Sequence, residues 1–118
     1  KKKTNINYIQ KKNKKIFPAR DFVNILDLSK ILYKILKKIS KKNQIDEIFN
    51  IGSGQSKSID KIIKFINKKF TNQFLVKYVN LPNKELVKTK ASVKKIKKFV
   101  NYNKFINLEK SLKSHLNL

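Results

Sequence analysis

The sequence contains no cysteine, which excludes disulfide bonds, thiolate metal sites and a cysteine nucleophile. Only two glycines and two prolines occur among 118 residues, so we expect mostly regular elements with few specialised turns. No apolar run approaches the roughly 20 residues of a membrane span, and the lysine-rich start lacks the apolar core of a secretory signal. These absences favour a cytoplasmic protein without a membrane partner. The chain begins without methionine, so we expect a fragment.

Negative charge is also scarce, since 30 lysines and arginines stand against seven acidic residues, for a net charge of +23. One interpretation is a small basic α/β module that binds nucleic acid or an anionic membrane electrostatically. The other is compositional drift, because the excess is nearly all lysine and comes with many asparagines and isoleucines. Lysines occur in every segment instead of clustering, which favours drift and disfavours a nucleic-acid partner.

The residues that are present form short periodic apolar segments, and hydrophobic residues make up 40% of the chain. Alternation and β-favouring side chains predict strands over 4–10, 20–25, 47–51 and 74–79. Apolar residues at helical spacing predict amphipathic helices over 28–41, 59–70, 91–100 and 108–116. Asp27, Ser58 and Asn107 are the predicted N-caps. This order of strands and helices predicts an α/β fold.

Few residues predict catalysis. The seven acidic residues are scattered, without a pair suited to general acid–base chemistry, and no metal-ligand spacing occurs. His115 lies on the apolar face of the last predicted helix, which predicts a packing or surface role. Gly52-Ser53-Gly54 follows a predicted strand but lacks the further glycine or the Gly-Lys-Ser/Thr of phosphate loops, so we interpret it as a tight turn.

Arg20 is the only arginine in a chain that uses lysine almost everywhere. A guanidinium presents a planar, bidentate fork to phosphate or carboxylate, which an ammonium group cannot reproduce. Two roles therefore stay open for Arg20. It binds an anionic ligand, or it forms a structural ion pair with Asp21 or Asp27.

Four motifs occur in a defined order along the chain. They are Arg20-Asp21-Phe22-Val23-Asn24-Ile25 with Asp27-Leu28, Phe49-Asn50-Ile51-Gly52-Ser53-Gly54 with Ser58-Ile59, Thr89-Lys90-Ala91-Ser92-Val93 with Phe99-Val100-Asn101-Tyr102, and Asn107-Leu108-Glu109-Lys110-Ser111-Leu112. This order resembles the C-terminal half of the NAD-dependent epimerase/dehydratase family, the extended short-chain dehydrogenases/reductases that act on nucleotide sugars. We therefore expect a lead-in segment, 1–15, that matches no part of the family, and a nucleotide-sugar-binding region, 16–118.

The resemblance implies the C-terminal portion of a Rossmann-type fold, in which the strand at Phe49–Ile51 completes the edge of the dinucleotide-binding sheet. It implies a nucleotide-diphosphate sugar as substrate, with Arg20 on the diphosphate. NAD or NADP, the catalytic Ser/Thr and the Tyr-x-x-x-Lys pair would belong to an N-terminal Rossmann half that is absent from this chain. The chain alone is therefore expected to be inactive, and a homodimer of the whole enzyme is compatible with the family.

The chain also departs from the family pattern. Leu81 stands where many members carry a second diphosphate-binding arginine, so Lys84 or Lys88 would supply a point charge instead. The spacing Tyr-x-x-x-Lys occurs at Tyr8/Lys12 and at Tyr33/Lys37, and we interpret both as chance matches in a lysine-rich sequence. A decayed, non-catalytic relative with a structural role stays open as an alternative.

Overall fold

A computed structural model describes residues 3–41, 46–69, 74–83 and 85–116. In chain order the described elements are β1 (Lys3–Lys11), β2 (Lys14–Ile16), β3 (Ala19–Asp21), α1 (Ile25–Ile39), β4 (Ser56–Ser58), α2 (Ile59–Lys69), β5 (Leu75–Asn80), α3 (Lys94–Val100) and α4 (Leu108–His115). This mixture of strands and helices confirms the predicted α/β class. Of the helices in these ranges, none has the length and apolar character needed to cross a membrane.

The chain divides into two compact units. The first unit comprises Lys1–Arg20 and Ser56–Thr89, and the second comprises Asp21–Gln55 and Lys90–Leu118. Each unit is therefore built from two separate stretches of sequence, and the first boundary falls inside β3.

The first unit is organised around β1, the central strand of a sheet with the order β2-β1-β5. β1 pairs antiparallel with β2 and parallel with β5, from Lys3 opposite Leu75 to Tyr8 opposite Asn80. Ile6, in the middle of β1, is 1% exposed. Because parallel strands run in the same direction, β1 and β5 reach their carboxyl ends at one edge of the sheet.

The second unit has a small apolar core that α1 and α3 share. The buried side chains of this core are Ile31, Val93, Ile96 and Val100. The apolar stripe predicted for α1 is only partly covered, since Leu32 is 46% exposed and Leu36 is 65% exposed. A stripe at helical spacing identifies the apolar face of a helix, but it does not tell how much of that face has a packing partner.

The start of α1 corrects two predictions. Asn24, not Asp27, is the N-cap, because its side-chain oxygen accepts a hydrogen bond from the backbone N–H of Leu26 at 2.8 Å. The helix therefore begins at Ile25, earlier than predicted, and the strand predicted over 20–25 ends at Asp21. Asp27 lies buried in the first helical turn.

The strand predicted over 47–51 is wrong. Residues 46–51 have no regular secondary structure, and Phe49 and Ile51 pack against the core of the second unit. No strand within the described ranges pairs with this segment, and an extended segment without a neighbour has no ladder to satisfy its backbone groups. Within this chain, Phe49–Ile51 therefore does not complete a sheet edge.

The remaining elements follow the predictions more closely. β1 and β5 lie within about one residue of the predicted strands, and α2 starts directly after Ser58. Asn107 is the N-cap of α4, as predicted, since its side-chain oxygen accepts from the backbone N–H of Glu109 at 2.8 Å. α3 is shorter than predicted and begins at Lys94.

Candidate functional site

Arg20 lies in β3, where its guanidinium forms an ion pair with Glu85. The Nη2 atom is 3.1 Å from Oε1 of Glu85, and Nη1 donates to the carbonyl oxygen of Ala19 at 3.0 Å. One of the two open roles for Arg20 is an ion pair with Asp21 or Asp27, whereas the observed partner, Glu85, is 65 residues away in sequence. The Arg20 side chain is 26% exposed, so the pair is accessible from solvent.

Glu85 links Arg20 to the central strand of the first unit. Its second oxygen, Oε2, accepts a hydrogen bond from Nδ2 of Asn7 at 3.3 Å. One carboxylate therefore fixes the direction in which the guanidinium points. A guanidinium carries five N–H donors, more than the contacts with Glu85 and Ala19 use, so Arg20 is able to bind a further anionic oxygen.

A cleft of about 370 Å³ opens beside Glu85, at the carboxyl ends of β1 and β5. Tyr8, Gln10, Asn80 and Leu81 contribute to its lining. The backbone N–H of Leu81 donates to the carbonyl oxygen of Tyr8 at 2.8 Å, which holds the segment after β5 against β1. Ligands of parallel α/β sheets bind outside the carboxyl ends of the strands, so the position of this cleft suits a ligand.

Of the two lysines predicted to assist Arg20, the structure describes Lys88. Lys84 lies outside the described residues. Lys88 is exposed and forms an isolated parallel bridge with Ala19, so its backbone lies beside the residue that precedes Arg20. Because successive side chains of an extended strand alternate, we expect Arg20 and Lys88 on opposite faces of this pairing.

The turn at Gly52-Ser53-Gly54 encloses a carboxylate of the protein itself. Oδ1 of Asp21 accepts from the backbone N–H of Ser53 at 2.8 Å and from its hydroxyl at 2.6 Å. Oδ2 accepts from the backbone N–H groups of Gly54 at 3.0 Å and Ala91 at 2.9 Å. The donors that a phosphate would require are thus already satisfied, and the tight-turn interpretation of this segment is correct.

These hydrogen bonds determine the acidity of Asp21. Burial alone raises the pKa of its carboxyl group, but the hydroxyl of Ser53 and the backbone N–H groups of Ala91, Ser53 and Gly54 outweigh that effect. The pKa of Asp21 therefore lies below its usual value. The group stays ionised at neutral pH and serves as an internal anion for the turn.

Asp27 and Asp60 are buried, and the sequence did not predict the partners that the structure gives them. Asp27 accepts from the hydroxyl of Tyr102 at 2.6 Å and from the backbone N–H of Ile106 at 2.7 Å. Asp60 accepts from the hydroxyl of Tyr78 at 3.2 Å and lies 3.0 Å from Nζ of Lys64. Acidic residues are rare in this basic chain. That rarity is the signal in the sequence that could have drawn attention to Asp27 and Asp60.

The other candidates from the sequence have local surroundings. His115 is exposed on α4, with Nδ1 2.9 Å from the carbonyl oxygen of Ser111 one turn earlier. Tyr8 lies on β1 and Lys12 follows that strand, so this Tyr-x-x-x-Lys spacing does not lie on a helix. Tyr33, the first residue of the second such spacing, is 66% exposed on α1.

Comparison with known proteins identifies the fold. The structure of RMD from Pseudomonas aeruginosa in complex with NADPH superimposes with a TM-score of 0.69 at 17% sequence identity. The match covers 86% of this chain and 33% of the RMD chain, so this chain spans about a third of that protein. A scan against protein-family models and a search of curated proteins each found no match. The chain therefore shares its α/β fold with part of an NADPH-binding protein.

Proposed function

We propose that this chain is the C-terminal, nucleotide-sugar-binding part of an NAD(P)-dependent epimerase or dehydratase of the extended short-chain dehydrogenase/reductase type. The observation that carries the proposal is the fold match to a third of an NADPH-bound protein. The ordered motifs from Arg20 to Leu112 support the same family. The cofactor and the catalytic groups then belong to an N-terminal Rossmann half, and the chain alone does not turn over substrate.

In this proposal Arg20 orients the diphosphate of the nucleotide sugar. Its guanidinium is held by Glu85 beside the cleft at the carboxyl ends of β1 and β5. Charge-assisted, bidentate contacts between a guanidinium and phosphate oxygens are strong and directional. Lys84 adds positive charge to the segment that follows Leu81, where many family members place a second arginine, whereas the expected opposite-face position of Lys88 disfavours a role for it at the same diphosphate.

Glu85 has two opposing effects on such a site. It fixes the guanidinium through the 3.1 Å contact, and its negative charge repels a phosphate that approaches the same group. Replacement by glutamine retains an acceptor for Arg20 while it removes the charge. Glu85→Gln is therefore expected to bind a nucleotide-diphosphate sugar at least as tightly as the unmodified protein.

The affinity of the full-length protein for UDP- and TDP-sugars, measured by isothermal titration calorimetry, tests this assignment. Arg20→Ala is expected to weaken binding by about tenfold or more, because it removes a charge-assisted contact, and Arg20→Lys by less. Lys61→Ala, which removes an exposed charge from α2 in the same unit, serves as the control. Equal affinity of Arg20→Ala and the unmodified protein would remove Arg20 from the site.

The family assignment itself has an independent test. The coding sequence upstream of Lys1 is expected to encode a glycine-rich βαβ unit, which would bind NAD or NADP, and a Tyr-x-x-x-Lys pair, which would supply the catalytic acid and base. An upstream sequence that encodes neither would contradict the enzyme assignment and leave the decayed relative as the better interpretation.

A further inference from the structure

A second cavity, of about 540 Å³, lies in the second unit, away in sequence from the Arg20 cleft. Six of its lining residues are cationic or aromatic: Lys38, Lys41, Lys95, Lys98, Phe49 and Phe99. We refer to it as the lysine–phenylalanine cavity. Its volume falls within the roughly 300–1,000 Å³ that is typical of small-molecule sites.

The floor of this cavity is a pair of aromatic rings. The rings of Phe49 and Phe99 lie with centroids 4.7 Å apart and planes inclined by 35°. Both side chains also pack against the core of the second unit, which holds them in place from behind. Half-buried, fixed rings of this kind provide an apolar surface against which a planar group is able to stack.

The walls of the cavity are strongly positive. Two of the lysines lie over the rings: Nζ of Lys38 is 5.1 Å from the ring centroid of Phe99, and Nζ of Lys95 is 5.3 Å from that of Phe49. A planar group that stacks on these rings therefore displaces the two exposed lysine side chains and meets their charge at its edge. Glu47 also lines the cavity and forms an ion pair with Lys95. Four lysines and one glutamate therefore line the cavity, and a concave surface focuses the resulting positive potential.

We propose that the lysine–phenylalanine cavity binds a nucleoside polyphosphate, with the base on the Phe49–Phe99 floor and the phosphates on the surrounding lysines. An aromatic floor alone would favour any apolar planar group, and lysines alone would favour any anion. Their combination in one cavity favours a ligand that carries both features. The proposal does not depend on the function proposed for Arg20, because all lining residues of this cavity belong to the second unit.

The abundance of lysine in the chain requires a matched control. The double variant Lys38→Gln/Lys98→Gln removes two charges from the cavity. The double variant Lys110→Gln/Lys113→Gln removes the same charge from exposed positions of α4, in the same unit. Both pairs are made in full-length protein that carries Arg20→Ala and is saturated with NADPH, so that neither phosphate binding in the first unit nor the cofactor site of the proposed N-terminal half contributes.

The probes are ATP, adenosine and inorganic tripolyphosphate, with affinities measured by calorimetry and the site located by amide NMR shifts. ATP is expected to bind more tightly than either partial probe, with shifts at Phe49 and Phe99. The cavity pair is expected to weaken ATP binding by about tenfold, and the α4 pair by less than about twofold. Phe49→Leu is expected to weaken ATP binding while it leaves tripolyphosphate binding unchanged.

Two results would overturn the proposal. Equal affinities for ATP and tripolyphosphate would mean that the rings do not contribute to binding and that the lysines bind any polyphosphate. If the cavity pair and the α4 pair weakened ATP binding equally, the cavity would not be the binding site. Neither result bears on nucleotide-sugar binding at Arg20, since that residue is absent from all of these variants.

Discussion

The hydroxyl of Tyr102 donates a 2.6 Å hydrogen bond to Oδ1 of Asp27, across 75 residues of sequence. The other carboxylate oxygen, Oδ2, accepts from the backbone N–H of Ile106 at 2.7 Å. Asp27 is 1% exposed, so its charge is removed from water and depends on these donors. These two hydrogen bonds connect the first turn of α1 to the segment that joins α3 to α4.

Removal of this contact is expected to destabilise the second unit. Tyr102→Phe should lower the free energy of unfolding by about 1.5–3 kcal/mol, the usual range for a hydrogen bond to a charged group. Asp27→Ala should cost more, since it also leaves the N–H of Ile106 without its acceptor. Urea unfolding followed by circular dichroism measures both, with Tyr33→Phe on the exposed face of α1 as the control. Equal losses for Tyr102→Phe and Tyr33→Phe would contradict the structural role of the contact.

The same pair predicts a dependence on alkaline pH. Burial, the hydrogen bond to Asp27 and the negative charge of that carboxylate raise the pKa of Tyr102 to about 12, whereas an unfolded tyrosine titrates near 10. The contribution to stability is therefore complete below about pH 10 and is lost as the pH rises towards 12.

Ultraviolet absorbance of tyrosinate during a pH titration measures this effect. The Tyr102→Phe variant is expected to lack a transition at the alkaline end of the titration, and Tyr33→Phe is expected to retain it. Lysine deprotonation over the same range reduces the positive charge of the chain, so stability is compared between variants at each pH. Superimposable titration curves of the unmodified protein and Tyr102→Phe would contradict the assigned pKa.

Asp27 also illustrates what the sequence could not provide. An aspartate immediately before an apolar helical stripe is a typical N-cap, and local pattern favoured that role. The structure uses Asn24 as the cap instead, and the partners of Asp27 lie in a distant part of the chain. Local propensity locates the helix within a few residues, whereas long-range partners leave no signal in the neighbouring sequence.

The same distinction applies to the candidate site. β1 and β5 were predictable because alternation and β-branched side chains are local properties. The ion pair of Arg20 was not, since Glu85 lies far away in sequence and the nearer acids, Asp21 and Asp27, have other partners. The strand predicted over 47–51 is wrong for a local reason. An apolar run that packs against helices has the same composition as a buried strand, so composition alone does not distinguish the two.

Asp21 predicts a dependence on acid pH. Its pKa is depressed in the folded protein, so its contribution to stability is present above the unfolded value near 4 and is lost as the pH falls through the lower folded value. Asp21→Asn is expected to be less stable at neutral pH, because an amide nitrogen cannot accept from Gly54 and Ala91. Its stability should also change less between neutral and acid pH.

Urea unfolding at a series of pH values measures both effects. Asp46→Asn, which neutralises an exposed acid in the same unit, serves as the matched control. Parallel stability profiles for Asp21→Asn and the unmodified protein would show that the Asp21 carboxylate does not hold the turn.

The turn around Asp21 leaves no space for a side chain at Gly52, and this gives the sharpest steric prediction. A Cβ at this position would lie 2.7 Å from Cβ of Ala91 and 2.9 Å from Oδ2 of Asp21. Both atoms are held by the hydrogen bonds of the turn, so neither moves easily. Gly52→Ala is therefore expected to lower the free energy of unfolding by about 1–3 kcal/mol, the usual cost of overpacking.

Gln55→Ala, an exposed change just beyond the same turn, separates this steric effect from a general sensitivity of the segment. Its expected effect is within about 0.5 kcal/mol, as for most surface substitutions. The two variants are compared by urea unfolding, and amide NMR shifts of Ser53, Gly54 and Ala91 report whether the Asp21 contacts persist. Equal stability of Gly52→Ala and Gln55→Ala, with the amide shifts of the unmodified protein at all three residues, would contradict the prediction. It would mean that the turn has room for a Cβ at Gly52. A loss confined to Gly52→Ala, with shifts at all three donors, would show that close packing at Gly52 and the half-buried carboxylate of Asp21 act together.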